Sequence, residues 1–199
     1  YFTTPLAYIF IVIFLALTGA RFDGAECLHA GLATHYLPVA AQEEAKRRIG
    51  EGEGIETVLS ELAEVPPEAK VEANEARIAR HFAFDTLEEI FASLEADDSE
   101  WAAKELATLR TKSPQACKVA LHELAQSLTL ESFAEEMAME YRIAARVLVL
   151  PDFAEGVRAV IVDKDNAPAW NPATPEGVTD AAIAAIFAPL APTEEWNPL

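Results

Sequence analysis

A chain of 199 residues is long enough for one ordinary domain or two small ones, and a hydrophobic content of 51% supplies a core and argues against wholesale disorder. Fifteen Lys and Arg against thirty-three Asp and Glu leave a net charge of −18. Such a surface repels phosphate backbones and anionic lipid heads, so neither nucleic acid nor a membrane is an expected partner. Cys27 and Cys117 lie far apart, outside any CxxC pair or zinc spacing. They are read as free thiols in a reducing compartment, and no metal site is expected.

The first element is the apolar run Leu6–Leu17 in YFTTPLAYIFIVIFLALTGAR. Its twelve residues fall short of the roughly 20 needed to span a bilayer. Thr18-Gly19-Ala20 has a faint look of a small-residue cleavage site, but Tyr1–Pro5 carries no Lys or Arg, as a signal peptide's n-region requires. The run is therefore read as a buried core helix or strand. Asp23 is placed to cap a short helix over Ala25–Ala30, with Gly31 in the left-handed position after it. Leu32–Leu37 then reads as a brief strand stopped by Pro38.

Residues 41–110 carry eighteen acids and eight bases, and glycines at 50, 52 and 54 with Pro66-Pro67 break them into short pieces. Asp85-Thr86-Leu87-Glu88 has a capping-box pattern, followed by Leu87, Ile90, Phe91 and Leu94 on one helical face. Trp101–Arg110 repeats that texture. Ser113-Pro114 is a strong helix start, because Ser caps and Pro takes the first position. That helix carries Ala116, Val119, Ala120, Leu121 and Leu124 and fades near Ser127. A longer helix is expected from Leu130 to Leu148, with Phe133, Met137, Tyr141, Ala144 and Ala145 as its apolar stripe. Asp152-Phe153-Ala154-Glu155 reads as a further capping box opening a helix to Val162. The tail from Asp163 holds six of the twelve prolines and one more amphipathic turn around Ala181–Phe187.

Two blocks go beyond generic helices. LALTGARFDGAECLHAGLATHYLP at 15–38, and SPQACKVAL at 113–121 followed by MEYRIAARVLVLPDFAEGVRAVIVDKDNAPAWNP at 139–172, resemble the crotonase (enoyl-CoA hydratase/isomerase) superfamily in order and spacing. Within it, MEYR, EGVRAVIVDKD and the acidic segment between the blocks are most similar to the 3-hydroxyisobutyryl-CoA hydrolases. The resemblance covers Leu15 to Pro172. It implies a chain that is mainly α with minor β, the C-terminal portion of a crotonase-like ββα spiral with its covering helices. Residues 1–40 would end the spiral core, 41–110 form an acidic helical insert, and 111–199 supply the covering helices and Pro-rich tail. The interval TTPLAYIFIVIF departs from the pattern, since the hydrolases carry a polar, Pro/Gly-containing turn there.

The implied activity is acyl-CoA thioester hydrolysis, 3-hydroxyisobutyryl-CoA to free acid and CoA in valine breakdown, without metal or organic cofactor. Hydratase/isomerase chemistry and a non-catalytic interaction module on the same scaffold are the alternatives. The family's oxyanion hole and catalytic carboxylates precede a GGYF-like segment whose end Tyr1-Phe2 resembles. No residue of this chain is therefore expected to be catalytic, and the chain alone is expected to be inactive. Lys164, in VDKD, is the one candidate substrate-binding residue that the resemblance implies, since a basic residue near this position in crotonases can approach the CoA nucleotide and a Lys suits a phosphate as a point charge. Glu155 is read as a helix cap, Glu140 and Arg142 as surface or interhelical partners, and His29, His35, His81 and His122 as structural. The resemblance further implies a cytoplasmic protein, in the mitochondrial matrix if eukaryotic, with a possible homo-oligomer.

Overall fold

The computed structural model describes residues 5–196, with side chains from residue 9 onward. The expectation placed on Tyr1-Phe2, and the start of the TTPLAYIFIVIF interval, lie outside the described residues. The chain divides into two compact units, one holding the residues up to Leu15 and Gly19–Phe82, the other Ala16–Thr18 and everything from Ala83 onward. The boundary at Phe82 falls within the acidic stretch 41–110.

The first unit is built from short helices. α1 (Pro5–Thr18) realises the apolar run as fourteen helical residues. At about 1.5 Å per residue it is well short of a roughly 30 Å hydrocarbon layer, and no helix among the described residues is long and apolar enough to cross a membrane. Ile11, Phe14 and Leu17, three apart, are its buried face. Phe14 meets Phe82 edge to face, with ring centroids 5.2 Å apart. α2 (Gly24–His29) begins as the sequence anticipates. Asp23 accepts the backbone N–H groups of Ala25 and Glu26, and Glu26 reaches back to the Asp23 N–H. Gly31, at φ 69°, takes the left-handed position that a Cβ would penalise.

The strand expected over Leu32–Leu37 does not form, and the described residues contain no strand. The N–H groups of Leu32 and Ala33 both turn back to the Cys27 carbonyl, closing α2, and the Tyr36 carbonyl accepts a lone bond from Glu64. With its first two donors used by the preceding turn and no second strand alongside, the segment has nothing to pair with. α3 (Val39–Gly50) and α4 (Ile55–Leu62) come next. Arg48 of α3 bonds Glu53 and Glu61, tying the two helices, while Lys46 and Arg47 pair along their own helix. A 3₁₀ turn at Glu72–Asn74 leads into α5 (Glu75–His81). Val58, Val71, Ile78 and Phe82 are the larger apolar side chains that these later elements bury in this unit.

The second unit opens with α6 (Leu87–Glu95) and α7 (Glu100–Leu109), packed on each other. The cap of α6 is Thr86 rather than Asp85. Its hydroxyl accepts the Glu89 N–H and donates to the Glu89 carboxylate, so the cap lies one residue later than expected and the reciprocal bond to the cap's backbone N–H is not made. Leu87, Ile90 and Leu94 are buried as the face predicts. α8 (Pro114–Ser127) starts at Ser113-Pro114, with the Ser113 hydroxyl accepting the Ala116 N–H. α9 (Phe133–Val147) is capped by Ser132, whose partner Glu135 completes a capping box.

The buried face of α9 differs from the expected stripe. Met139 and Ile143 are inside, whereas Phe133, Tyr141, Ala144 and Ala145 are exposed. The reason lies in α11 (Asp180–Phe187), which packs against both α8 and α9. Its Ile183 and Ile186 join Val119, Met139, Ile143 and Val178 in one apolar cluster, and that partner selects which side of α9 faces inward. Arg146 then donates to the Ile186, Ala188 and Pro189 carbonyls that the end of α11 leaves unpaired.

Candidate functional site

The segment from Pro151 to Glu176 gathers the charged and aromatic residues of the most family-like block. α10 (Pro151–Val157) has Pro151 at its first position, which makes Leu150 the N-cap. Asp152 therefore sits inside the first turn and cannot cap it. The capping-box reading of Asp152 and Glu155 is overturned: both carboxylates serve the loop beyond the helix.

Asp152 is buried. One of its oxygens accepts the Ser113 hydroxyl at 2.5 Å and the other accepts the Asn171 N–H at 2.9 Å. Since Ser113 also caps α8, this carboxylate joins the start of α8, the start of α10 and the end of the loop. Trp170 adds a second tie, its indole N–H donating to the Thr111 carbonyl at 2.9 Å. The indole lies over Gly156, where a Cβ would come within 3.3 Å of the ring. Glycine there admits close approach of the aromatic.

Beyond α10 the backbone widens into a π-helical turn at Arg158–Val162, a form often found at functional sites. The Asp163 N–H returns to the Arg158 carbonyl and the Asn166 N–H to that of Ala159. Arg158 organises the loop after this turn. Its five N–H donors reach Glu155 twice, Asp163, Asp165 and the Ala167 carbonyl, at 2.6–3.2 Å. The guanidinium is saturated, so it has no donor left for a ligand. Glu155 also accepts the Ala169 N–H. Its carboxyl is held down at about 2, first by the Arg158 hydrogen bonds and then by that N–H. Asp165 is held below its ordinary range by Arg158 and the Ala167 N–H.

Lys164 stands at the tip of this loop, exposed and left-handed at φ 56°, with Asn166 similar at φ 52°. For non-glycine residues that conformation costs on the order of 1 kcal/mol each and persists only when the surroundings enforce it. Asp163 and Asp165, which flank Lys164 in sequence, both turn to Arg158. Lys164 makes no ion pair among the described residues. The surroundings are nonetheless acidic: three carboxylates around one guanidinium sum to −2, and Lys164 brings the loop to −1.

The other residues singled out in the sequence are spread apart. His29 bonds Glu75 at 2.6 Å and His35 lies 3.5 Å from Glu56, both within the first unit. His81 is buried, and His122 stacks edge-on against Phe187. Arg142 pairs with Glu195 in the tail. Cys27 and Cys117 are both free thiols; burial pushes the Cys117 thiol up to about 11, which makes it inert. Among the described residues no group of three His, Cys, Asp or Glu is placed to hold a metal.

Glu140 is the exception to simple pairing. It hydrogen-bonds Glu123 of α8, and burial, the Glu140 charge and that shared bond raise the Glu123 carboxyl to about 7. Glu136, which accepts the Ser127 hydroxyl, adds to the repulsion. These carboxylates lie on helix interiors, where backbone N–H groups are committed to their own i−4 carbonyls. No backbone donor remains there to stabilise an oxyanion.

Sequence reasoning did not anticipate the roles of Asp152, Arg158 and Trp170. Pro151 was the available signal, since proline at the first helical position moves the cap ahead of Asp152.

Comparison with known proteins gives this geometry a family. A sequence model described as enoyl-CoA hydratase/isomerase matches residues 5–187. The 3-hydroxyisobutyryl-CoA hydrolase, mitochondrial, of Dictyostelium discoideum is 35% identical over 191 residues, 92% of this chain and 50% of that protein. The human protein of the same name is 33% identical over 178 residues, 84% of this chain and 46% of that protein. Among solved structures, a carnitinyl-CoA dehydratase from Mycobacterium thermoresistibile superposes with a TM-score of 0.84 at 32% identity, covering 94% of this chain and 55% of that one. An enoyl-CoA hydratase from Rhodobacter sphaeroides 2.4.1 gives 0.80 at 32% identity, covering 93% and 55%. The chain spans about half the length of the curated relatives it matches. On the match over residues 5–187, the chain belongs to the enoyl-CoA hydratase/isomerase family.

Proposed function

We propose that this chain is the C-terminal part of an acyl-CoA thioester hydrolase that converts 3-hydroxyisobutyryl-CoA to 3-hydroxyisobutyrate and CoA, as in valine breakdown. The observation that carries the reading is the set of relatives bearing that enzyme's name, at 33–35% identity over most of this chain. The reaction needs backbone N–H donors for the tetrahedral oxyanion and carboxylates for water activation and proton transfer. In this reading both come from a part of the enzyme outside this chain, and no metal or organic cofactor takes part. The engagement of Asp152, Glu155, Asp163 and Asp165 in structural bonds supports assigning catalysis elsewhere.

Lys164 is the substrate contact of this part. Its ammonium, held out on a braced loop with both neighbouring aspartates turned to Arg158, meets a phosphate of the CoA moiety. The same reading divides the chain into three parts: an end of the ββα spiral core at 1–40, an acidic insert at 41–110, and covering helices with tail from 111. In a eukaryote the proposed location is the mitochondrial matrix, and several relatives carry the word mitochondrial in their names.

Kinetics of the longer enzyme on acyl-CoA test the Lys164 role. Lys164→Ala should raise KM by about two- to fivefold, the value of one exposed charge contact, with kcat unchanged. An unchanged KM, or a loss in kcat alone, rejects it. Hydration of an enoyl-CoA is the second reading, favoured by the names of the superposed structures, a dehydratase and a hydratase. Product analysis on enoyl-CoA and 3-hydroxyacyl-CoA separates the two.

A further inference from the structure

A cavity of about 330 Å³ lies within the second unit, between α6, the turn joining α7 to α8, and residues 173–176. Its walls are Leu87, Phe91, Leu109, Pro114, Cys117 and Pro175. Leu87, Leu109 and Cys117 are themselves buried, so the pocket floor belongs to the core of the unit. The neutral Cys117 thiol keeps that floor apolar.

The opening is charged, and its charges are not equivalent. Arg110 is paired with Glu95 at 2.6 Å. Glu176 bonds its own N–H and the Thr174 hydroxyl, which hold its carboxyl below the ordinary range. Lys118, which also acts on Glu176, is bound to Glu88 and the Val178 carbonyl. Lys112 has no carboxylate partner among the described residues, and its ammonium is close enough to act on the Cys117 thiol. Lys112 is therefore the one cation lining this opening without a carboxylate partner among the described residues, while the Glu176 carboxylate is turned onto its own N–H and Thr174.

We propose that this cavity binds a small anionic amphiphile, a carboxylate with a linear aliphatic chain of about eight carbons, its head on Lys112 and its chain against Leu87, Phe91 and Leu109. The size is reasonable, because an apolar cavity of about 150 Å³ already accommodates benzene. The wall at Ala173–Pro175 is preformed. Trp170 fixes it to Thr111, and Asn171 fixes it to Asp152. The inference stands on the cavity alone and does not depend on the hydrolase reading.

The test uses this chain with three probes of equal chain length: octanoate, octan-1-ol and octylammonium. Calorimetry gives affinities, and amide chemical shifts locate the site. Octanoate should bind saturably and move the Cys117 and Thr174 resonances, while octanol binds more weakly and octylammonium does not bind. Lys112→Met should weaken octanoate about tenfold, the value of one charge-assisted hydrogen bond. Ala173→Phe, a change at an exposed wall residue, should block the opening and abolish binding with the melting temperature unchanged. The proposal is overturned by octylammonium binding as well as octanoate, by undiminished affinity in Lys112→Met, by shifts confined to other residues, or by no saturable binding of octanoate at millimolar concentration.

Discussion

Replacing Glu123 by Gln should make the second unit more stable above neutral pH and flatten its pH dependence. Glu123 shares a hydrogen bond with Glu140 and faces Glu136, and its carboxyl is raised from 4.5 to about 7. A raised folded-state pKa means that the folded chain holds the proton more tightly than the unfolded one. The stabilisation is then complete below about 4.5 and is lost as pH rises through about 7. At about 1.4 kcal/mol per unit, the full shift would correspond to roughly 3 kcal/mol. The side chain is only half-buried and solvent screens it, so about 1–1.5 kcal/mol is the working figure. Urea unfolding at pH 5 and pH 8 should show wild type losing that much, and Glu123→Gln losing little of it. Glu131→Gln removes an equal charge from an exposed position in the same unit and serves as control. Equal wild-type stability at the two pH values, or an unaltered slope in Glu123→Gln, would refute the shared-proton geometry.

Three further changes probe the loop and core. Asp152→Asn puts an amide where a buried carboxylate accepts two donors, and should cost about 1–3 kcal/mol in urea unfolding. Arg158→Gln leaves Glu155, Asp163 and Asp165 facing one another, so hydrogen exchange at the amides of Asn166, Ala167 and Ala169 should accelerate while α6 and α7 keep their protection. In wild type the Glu155 contact, with its carboxyl held at about 2, should be complete above pH 4.5 and be lost only as pH falls through about 2. Ile183→Ala opens a cavity where α11 seats on α8 and α9, at a cost of about 2–5 kcal/mol by thermal or urea unfolding.

The helix starts at Asp23 and at Ser113-Pro114 were legible in the sequence because their capping signal is local. Ser113-Pro114 and Asp23 behave as their chemistry dictates. Three helix starts were displaced for equally local reasons, one of them at Pro151, which makes Leu150 the cap. Thr86 offers its hydroxyl one residue nearer the helix than Asp85, and Ser132 with Glu135 starts α9 three residues later than periodicity alone placed it. The buried face of α9 was not legible, because α11 decides it from some forty residues away. The strand at Leu32–Leu37 failed in the same way, since alternation cannot reveal whether a partner strand exists. At the loop, VDKD pointed to Lys164, but that both aspartates belong to Arg158 depends on how the chain folds back after the π turn.

Thiol release from 3-hydroxyisobutyryl-CoA, measured for the longer enzyme and for this chain alone, tests the hydrolase assignment most directly. Turnover is expected from the longer enzyme, and none above background from these 199 residues. Turnover by this chain alone, or a longer enzyme that hydrates enoyl-CoA while leaving the thioester intact, would contradict it.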